Sequence, residues 1–345
     1  MNPHTNSNIV KRESPKDSPN SDASSHMQSD SYAAGFTKAN NVGIGVGVNP
    51  KTSNEALKTI LTHSGSFQAD DIFAVAILLM AIGESKVIRS RDKEQIASAD
   101  YVVDVGMVHD PAKNKFDHHQ HGGAGERPNG IPYASCGLVW KEYGEKLAGS
   151  KEAANLIDAK LMAPLDAHDN GVSIAGYHFK DVREYSVVDF LYSFLPSLHE
   201  SEESLYKIFM ALVAIAKDLL LREITIAKDI IIGEAKVRST FEASTDKRIL
   251  FLSEELPWKR VLLDKPEVMY VVYPRNDGNW GVRAVQDTGY TSRKPLPLEW
   301  GAKGDKELQE VTGVPDAVFC HRALFMAVAG SKEGAIKLAK IALDA

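Results

Sequence analysis

Residues 57–90, LKTILTHSGSFQADDIFAVAILLMAIGESKVIRS, decide the architecture. Leu57–His63 is aliphatic and β-branched and reads as a strand. Asp71–Ile82 is an unbroken apolar run with small residues, too long for a strand, and reads as a buried helix. Lys86–Ser90 reads as a second strand. Strand, helix and strand in quick succession predict a parallel unit, and the pattern continues with a short helix near Lys93–Ala97 and a third strand at Tyr101–Val105. Further helices are expected at Ala134–Leu147 and Lys151–Met162. From Ser201 to Ala235, Leu205, Phe209, Leu212, Ala216 and Leu219 recur at helical spacing, which predicts one long connecting helix. Beyond it the alternation changes. VMYVVYP (268–274) and WGVRAVQ (280–286) flank Arg275, Asn276, Asp277 and Gly278, the signature of a hairpin with an Asp-Gly turn, and a final helix is expected over Lys332–Leu343. The fold class is therefore α/β, a parallel-sheet domain plus a smaller α+β domain with a mixed sheet. The expected division is an N-terminal extension over 1–55, a sheet domain over 56–198, a connector over 199–235 and a C-terminal domain over 236–345.

Residues 1–55 differ in kind from the rest of the chain. They carry nine Ser and eight Asn but only two aromatic residues, Tyr32 and Phe36, so they are expected to be too polar to offset their own ordering entropy. The Gly43, Gly45 and Gly47 run lacks the preceding strand and following helix of a phosphate loop and reads as linker. Across the whole chain of 345 residues, Lys and Arg total 40 against 46 Asp and Glu, a net charge of -6 that argues against polyanion binding through bulk electrostatics. Two cysteines, Cys136 and Cys320, exclude a disulfide scaffold or a cysteine-rich zinc module and fit a reducing, cytoplasmic compartment. The longest apolar run is about half of the roughly 20 residues that a membrane span requires, so no membrane association is expected.

Four clusters promise chemistry, each expected just after a strand, where open parallel sheets bind ligands. They are THSGSFQADD with His63, Gln68, Asp70 and Asp71; VVDVG with Asp104; FDHHQHGG with Asp117, His118, His119 and His121; and LDAHDNG with Asp166, His168 and Asp169. Taken singly, Asp71 and Asp166 read as helix caps or turn formers, and His109 and His178 as structural or solvated histidines. Asp117-His118-His119 resists that explanation, because adjacent imidazoles repel when protonated and gain nothing from packing. Metal ligation removes the conflict. Mixed nitrogen and oxygen donors without cysteine favour Mn²⁺, with Mg²⁺ also compatible, and the donors suffice for two divalent ions.

The order of LTHSGSFQADD, YVVDVGMVHDP, KFDHHQ, ASCGLVWKEYG and LDAHDNGV is similar to the melanocyte-proliferating-gene (MYG) family of metal-dependent exonucleases, within the DHH phosphoesterase superfamily. The likeness continues through VVYPRNDGNWGVRAV, PLEW and TGVPDAVFCHRALFMAVAGSKEGAIKLA. It implies a DHH-type metal domain, a metal cleft between the two domains, and 3'→5' exonuclease activity on single-stranded RNA. By the same resemblance, His63 and Gln68 ligate one metal, Asp70 the other, and Asp104 bridges both. His118 and Asp169, the latter preferred to Asp166, complete the second site. His119 would contact the scissile phosphate or protonate the leaving oxygen, and Asp117 would orient an imidazole. Gln68 departs from the family, which has His there. An amide brings less charge or field, so a weaker first metal site is expected.

Substrate-binding cations are sought in Arg127, on a glycine-rich segment read as mobile, and in Arg275, Arg283, Arg293, Lys294, His321 and Arg322. His321 and Arg322 stand out because VFCHR reads as a strand leading to the SKEGA helix start. A hydrolase of short oligonucleotides or small phosphoesters is the nearest alternative. A binding or regulatory protein weakened at Gln68 is a third. A homodimer is compatible with the sequence, which does not fix the oligomeric state.

Overall fold

The computed structural model describes residues 56–345 apart from 177–178, 180–181, 196–200 and 288–290. The extension expected over 1–55 and His178 lie outside the described residues. The chain forms β1 (Thr59–Thr62), α1 (Ala69–Ile82), β2 (Lys86–Arg89), α2 (Lys93–Ser98), β3 (Tyr101–Val103), β4 (His109–Asp110) and β5 (Lys115–Phe116). Next come α3 (Ser135–Ala148), α4 (Lys151–Ile157), a π-helical turn (Asp158–Met162), α5 (Ala163–Asp169), α6 (Val187–Tyr192) and α7 (Glu202–Ala243). The remainder is β6 (Ile249–Phe251), α8 (Lys259–Leu262), β7 (Tyr270–Pro274), β8 (Trp280–Ala284), α9 (Asp305–Thr312), β9 (Ala317–Cys320), β10 (Met326–Ala329) and α10 (Lys332–Asp344).

The first sheet has five strands in the order β2-β1-β3-β5-β4, parallel except where β4 runs against β5. β1 lies between β2 and β3, Ile60 pairing with Val87 on one side and Tyr101 on the other. Its core explains why α1 is apolar around most of its circumference: Ile72, Phe73, Ile77 and Leu78 are buried with Ile60 on the sheet, with Leu138 and Val139 of α3 and with Phe209 and Leu212 of α7. His63, Asp104 and Asp117 are the first residues beyond β1, β3 and β5, so three of the predicted clusters gather at the carboxyl end of neighbouring strands.

The fourth cluster corrects the sequence reading. LDAHDNG is not a loop after a strand; Asp166, His168 and Asp169 lie on α5, which ends at Asp169 with Asn170 as its cap. The expected helix over Lys151–Met162 loses its α-helical period at Asp158, makes a π turn, and resumes at Ala163, where Pro164 is tolerated in the first turn.

The second sheet, in the order β6-β7-β8-β10-β9, is mixed: β6 and β7 are parallel and the other neighbours antiparallel. α10 covers one face, burying Ala335, Leu338 and Ala339 with Val272, Val282 and Ala327. The expected VFCHR connection also differs. β9 turns back into β10 before α10 begins, so His321 and Arg322 lie in a hairpin and not at that helix start.

α7 has 42 residues and runs on past Ala235. Phe209, Leu212, Ala216, Leu220 and Ile224 belong to the first core, whereas Val237 and Phe241 pack with Leu250, Trp258 and Val271 beside the second sheet. Those last apolar turns explain why the helix continues to Ala243. Among the described residues, no helix is long and apolar enough to cross a membrane.

Candidate metal centre

The centre is built on Asp104, buried at 2% exposure directly after β3. Its backbone takes a left-handed φ of 55°, a conformation that asparagine and aspartate tolerate better than most residues, and its N–H donates to the Phe116 carbonyl at 3.0 Å. This turn lets one carboxylate meet three histidines. Asp104 Oδ2 is 3.3 Å from His63 Nε2, and Oδ1 is 3.6 Å from His118 Nε2 and 3.5 Å from His119 Nδ1. Burial would raise Asp104, but His118, His63 and His119 outweigh it and hold the carboxyl at about 2.

On one side, His118 Nε2 also lies 3.1 Å from Asp169 Oδ2. That nitrogen is buried and makes no hydrogen bond, so the neighbouring oxygens are not aligned with its ring N–H direction. Asp70 completes the group. Its two oxygens accept the backbone N–H groups of Ser135, at 3.0 Å, and Cys136, at 2.7 Å, at the start of α3. The exposed N–H groups of a helix start favour a carboxylate there. Even so, burial, reinforced by the charges of Asp104, Asp169 and Asp166, pushes Asp70 well above the usual carboxylate range. Burial opposes a charge on His118, but Asp104 and Asp169 outweigh it and raise the imidazole to about 11. Protons thus stand where a cation would relieve the crowding.

Among the described residues, ligand atoms of Asp70, His118 and Asp169 all lie within 4.8 Å of one another, as do those of Asp104, His118 and His119 and those of Asp70, Cys136 and Asp166. The first two groups fit a divalent ion, since they offer carboxylate oxygens, imidazole nitrogens and an unpartnered buried Nε2. The third is already committed to the protein. Asp166 accepts from Cys136 Sγ at 3.2 Å, from the Gly137 N–H at 3.1 Å and from Arg127 at 2.6 Å. Gly137 is required here, because a Cβ would collide with the Asp166 carboxylate. Asp169, and not Asp166, therefore faces His118.

On the other side of Asp104, His63 donates Nδ1–H to the Ser64 carbonyl at 3.2 Å, which leaves Nε2 toward the carboxylates. Burial lowers His63, yet Asp104 and Asp71 more than compensate and its pKa is raised. Gln68 is exposed on the pocket wall and belongs to none of the three close groups. Asp71, read from sequence as a helix-start residue, has two roles: Oδ1 accepts the Gln68 N–H at 2.8 Å, while Oδ2 lies 3.3 Å from His63 Nε2. Burial pushes Asp71 up to about 7 against the opposing pull of His63.

His119 is half-exposed, and its Nδ1 lies 2.8 Å from Asp117 Oδ1. Asp117 is itself buried and accepts the Met107 and His119 backbone N–H groups. The imidazole is therefore held by one edge and lines a pocket of about 790 Å³ with His63, Gln68 and Asp104. The residues that line this pocket fall between His63 and His119, mostly on the connections around the first sheet and on α2. Its cations, Arg91, Lys93 and Lys115, were missed in the sequence because they look like ordinary solvated side chains.

The other cations are placed differently from expectation. Arg127 is 5% exposed and spends its guanidinium on Asp158 and Asp166, so within an otherwise largely exposed segment this side chain is turned inward and is not presented to a substrate. Arg293 is tied to Asp287 and to the carbonyls of Leu262, Lys265 and Val268, and Lys294 to the Leu343 carbonyl. Arg275 pairs with Asp277 in its own turn. Arg283 lies over the Phe325 ring, which also packs against His321, and Arg322 is exposed.

Comparison with known proteins places the chain in a family. Residues 59–343 match the family model MYG1_exonuc, described as "Uncharacterised protein family (UPF0160)". The chain is 30% identical over 321 residues to the "MYG1 protein" of Schizosaccharomyces pombe, covering 84% of this chain and 98% of that one. It is 27% identical over 336 residues to the human "MYG1 exonuclease", covering 85% and 89% of the respective chains. A match running from β1 into α10 includes every element that carries the centre, and the chain belongs to the MYG1 family.

Proposed function

We propose that this chain is a metal-dependent phosphodiester hydrolase, a 3'→5' exonuclease on single-stranded RNA with a DHH-type centre for two divalent ions, Mn²⁺ being favoured. The observation that carries the reading is the buried Asp104 set between His63 on one side and His118, with Asp70 and Asp169, on the other. The names of the human and mouse relatives, "MYG1 exonuclease", support the reaction class. Divalent ions held there would supply an acidified water and charge stabilisation at phosphorus.

The chain's own groups do the rest. Asp104 would be the shared ligand, its buried carboxylate lying between His63 and His118. The α3 start fixes Asp70 through two backbone N–H groups. Asp117 holds His119 by Nδ1, so Nε2 is the nitrogen left to contact the phosphate or protonate the leaving oxygen. Arg91, Lys93 and Lys115 line the same pocket and are suited to the flanking phosphates, with His321, Arg322 and Arg283 as more distant candidates.

A second reading, hydrolysis of short oligonucleotides, is favoured by the pocket itself: its cations are local and few, and the net charge of -6 gives a long polymer little general attraction. A 5'-labelled RNA oligomer series distinguishes the two. Stepwise shortening from the 3' end with Mn²⁺, abolished by chelator and by His118→Ala, is expected. A strong preference for the shortest members would select the second reading, and no metal-dependent cleavage of RNA, DNA or model phosphodiesters would overturn both.

A further inference from the structure

We propose that Asp71, and not Gln68, is the third protein ligand of the ion held by His63 and Asp104. The inference rests on the metal-hydrolase reading and concerns how this chain completes the half of the centre in which residue 68 is an amide. His63 spends its Nδ1 hydrogen on the Ser64 carbonyl, so the nitrogen turned toward the carboxylates is Nε2. Carboxylate oxygens lie 3.3 Å from it on both sides, Asp71 Oδ2 and Asp104 Oδ2. A neutral imidazole would place a lone pair between two buried anions. A cation relieves that arrangement: a proton on the imidazole in the metal-free chain, and a divalent ion in its place when the site is filled.

Asp71 is completely buried, and its Oδ2 makes no hydrogen bond. Arg89 is 3.7 Å away, beyond hydrogen-bond reach, and its Nη2 donates to the Gly65 carbonyl at 2.9 Å, so it balances charge without satisfying the oxygen. The other oxygen of Asp71 is anchored by the Gln68 backbone N–H at the first turn of α1. One residue thus ties the helix start and turns its second oxygen toward His63. Gln68 offers only a neutral amide from an exposed position. Asp71 would supply the negative charge that the amide lacks.

Mn²⁺ stoichiometry and affinity of the full chain, measured by equilibrium dialysis with elemental analysis and by the electron paramagnetic resonance signal of coupled Mn²⁺, test the assignment. Wild type is expected to bind two ions and show the coupled signal. Gln68→Ala should retain both ions and that signal. Asp71→Asn should bind one, the other weakened by at least about a hundredfold, beyond the usual cost of losing an outer partner. Loss of an ion in Gln68→Ala overturns the proposal, and because that side chain is exposed the result stands even if Asp71→Asn fails to fold. Binding in a folded Asp71→Asn that equals wild type, whether of one ion or two, overturns the assignment while leaving the hydrolase reading intact. A wild-type chain that takes up neither Mn²⁺ nor Mg²⁺ overturns both.

Discussion

The two sides of Asp104 are built in opposite ways. The His118 side is assembled from distant parts of the chain: Asp70 on α1, His118 after β5 and Asp169 at the end of α5, with Asp70 pinned by the start of α3. Its ligand atoms already lie within 4.8 Å of one another. The His63 side is made largely from one local stretch, residues 63–71, and its atoms do not form such a close group. A site fixed by several packed elements is preorganised and loses little on closing around an ion. A site on one turn must spend part of its binding energy on rearrangement. The sides should therefore differ in metal affinity, the His118 side filling first.

Removing what the sides share should have the largest effect. Asp104→Asn is expected to abolish binding at both sites and lower kcat by at least about a thousandfold, the upper scale for losing one group that stabilises developing charge. Retention of one tight ion would show that the sides are independent. The pair Asp166 and Asp169 comes next. Asp169→Asn should weaken the tighter ion by about a hundredfold, with little change in the melting temperature of metal-free protein. Asp166→Asn should spare metal content but cost about 3 kcal/mol of unfolding free energy, because it leaves buried Arg127 short of a partner. Denaturant titration and metal analysis check both, and the reverse pattern would exchange their roles.

Acidity gives a smaller and graded effect. His118, raised to about 11, is protonated in the metal-free chain throughout the neutral range and must release that proton to ligate. Mn²⁺ affinity on that side should rise from pH 6 to pH 8, with proton release visible by calorimetry in buffers of different ionisation enthalpy. The stability contribution has the opposite sign: a raised histidine stabilises the metal-free fold most fully below its unfolded pKa of about 6.5, and that contribution is lost as pH rises through 11. Gln68→His should have the mildest effect, adding a donor to the weaker side, tightening its Mn²⁺ affinity by about tenfold and raising phosphodiesterase activity. Equal affinities and rates would mean that position 68 does not reach the ion.

Much of this centre was legible because period and chemistry coincide. β1, α1, β2, α2 and β3 follow hydrophobic patterning, and the first residues after three strands are His63, Asp104 and Asp117. What was hidden depends on contacts remote in sequence or on one residue serving two ends. α5 looked like a loop because a π turn interrupts its period. Arg127 looked mobile in a glycine-rich stretch because its partners lie 31 and 39 residues away. The capping reading of Asp71 is correct for one oxygen and silent about the other.

α7 carries a consequence for how the molecule comes apart. At 42 residues it is a rod of about 63 Å whose early turns belong to the core of the first sheet, which carries the candidate centre, and whose last turns belong to the core beside the second sheet. Neither core can melt without stripping apolar cover from a helix that the other needs. Unfolding should consequently be cooperative, one thermal transition in place of two, and a metal bound at Asp104 would raise the melting point of the distant sheet as well as its own.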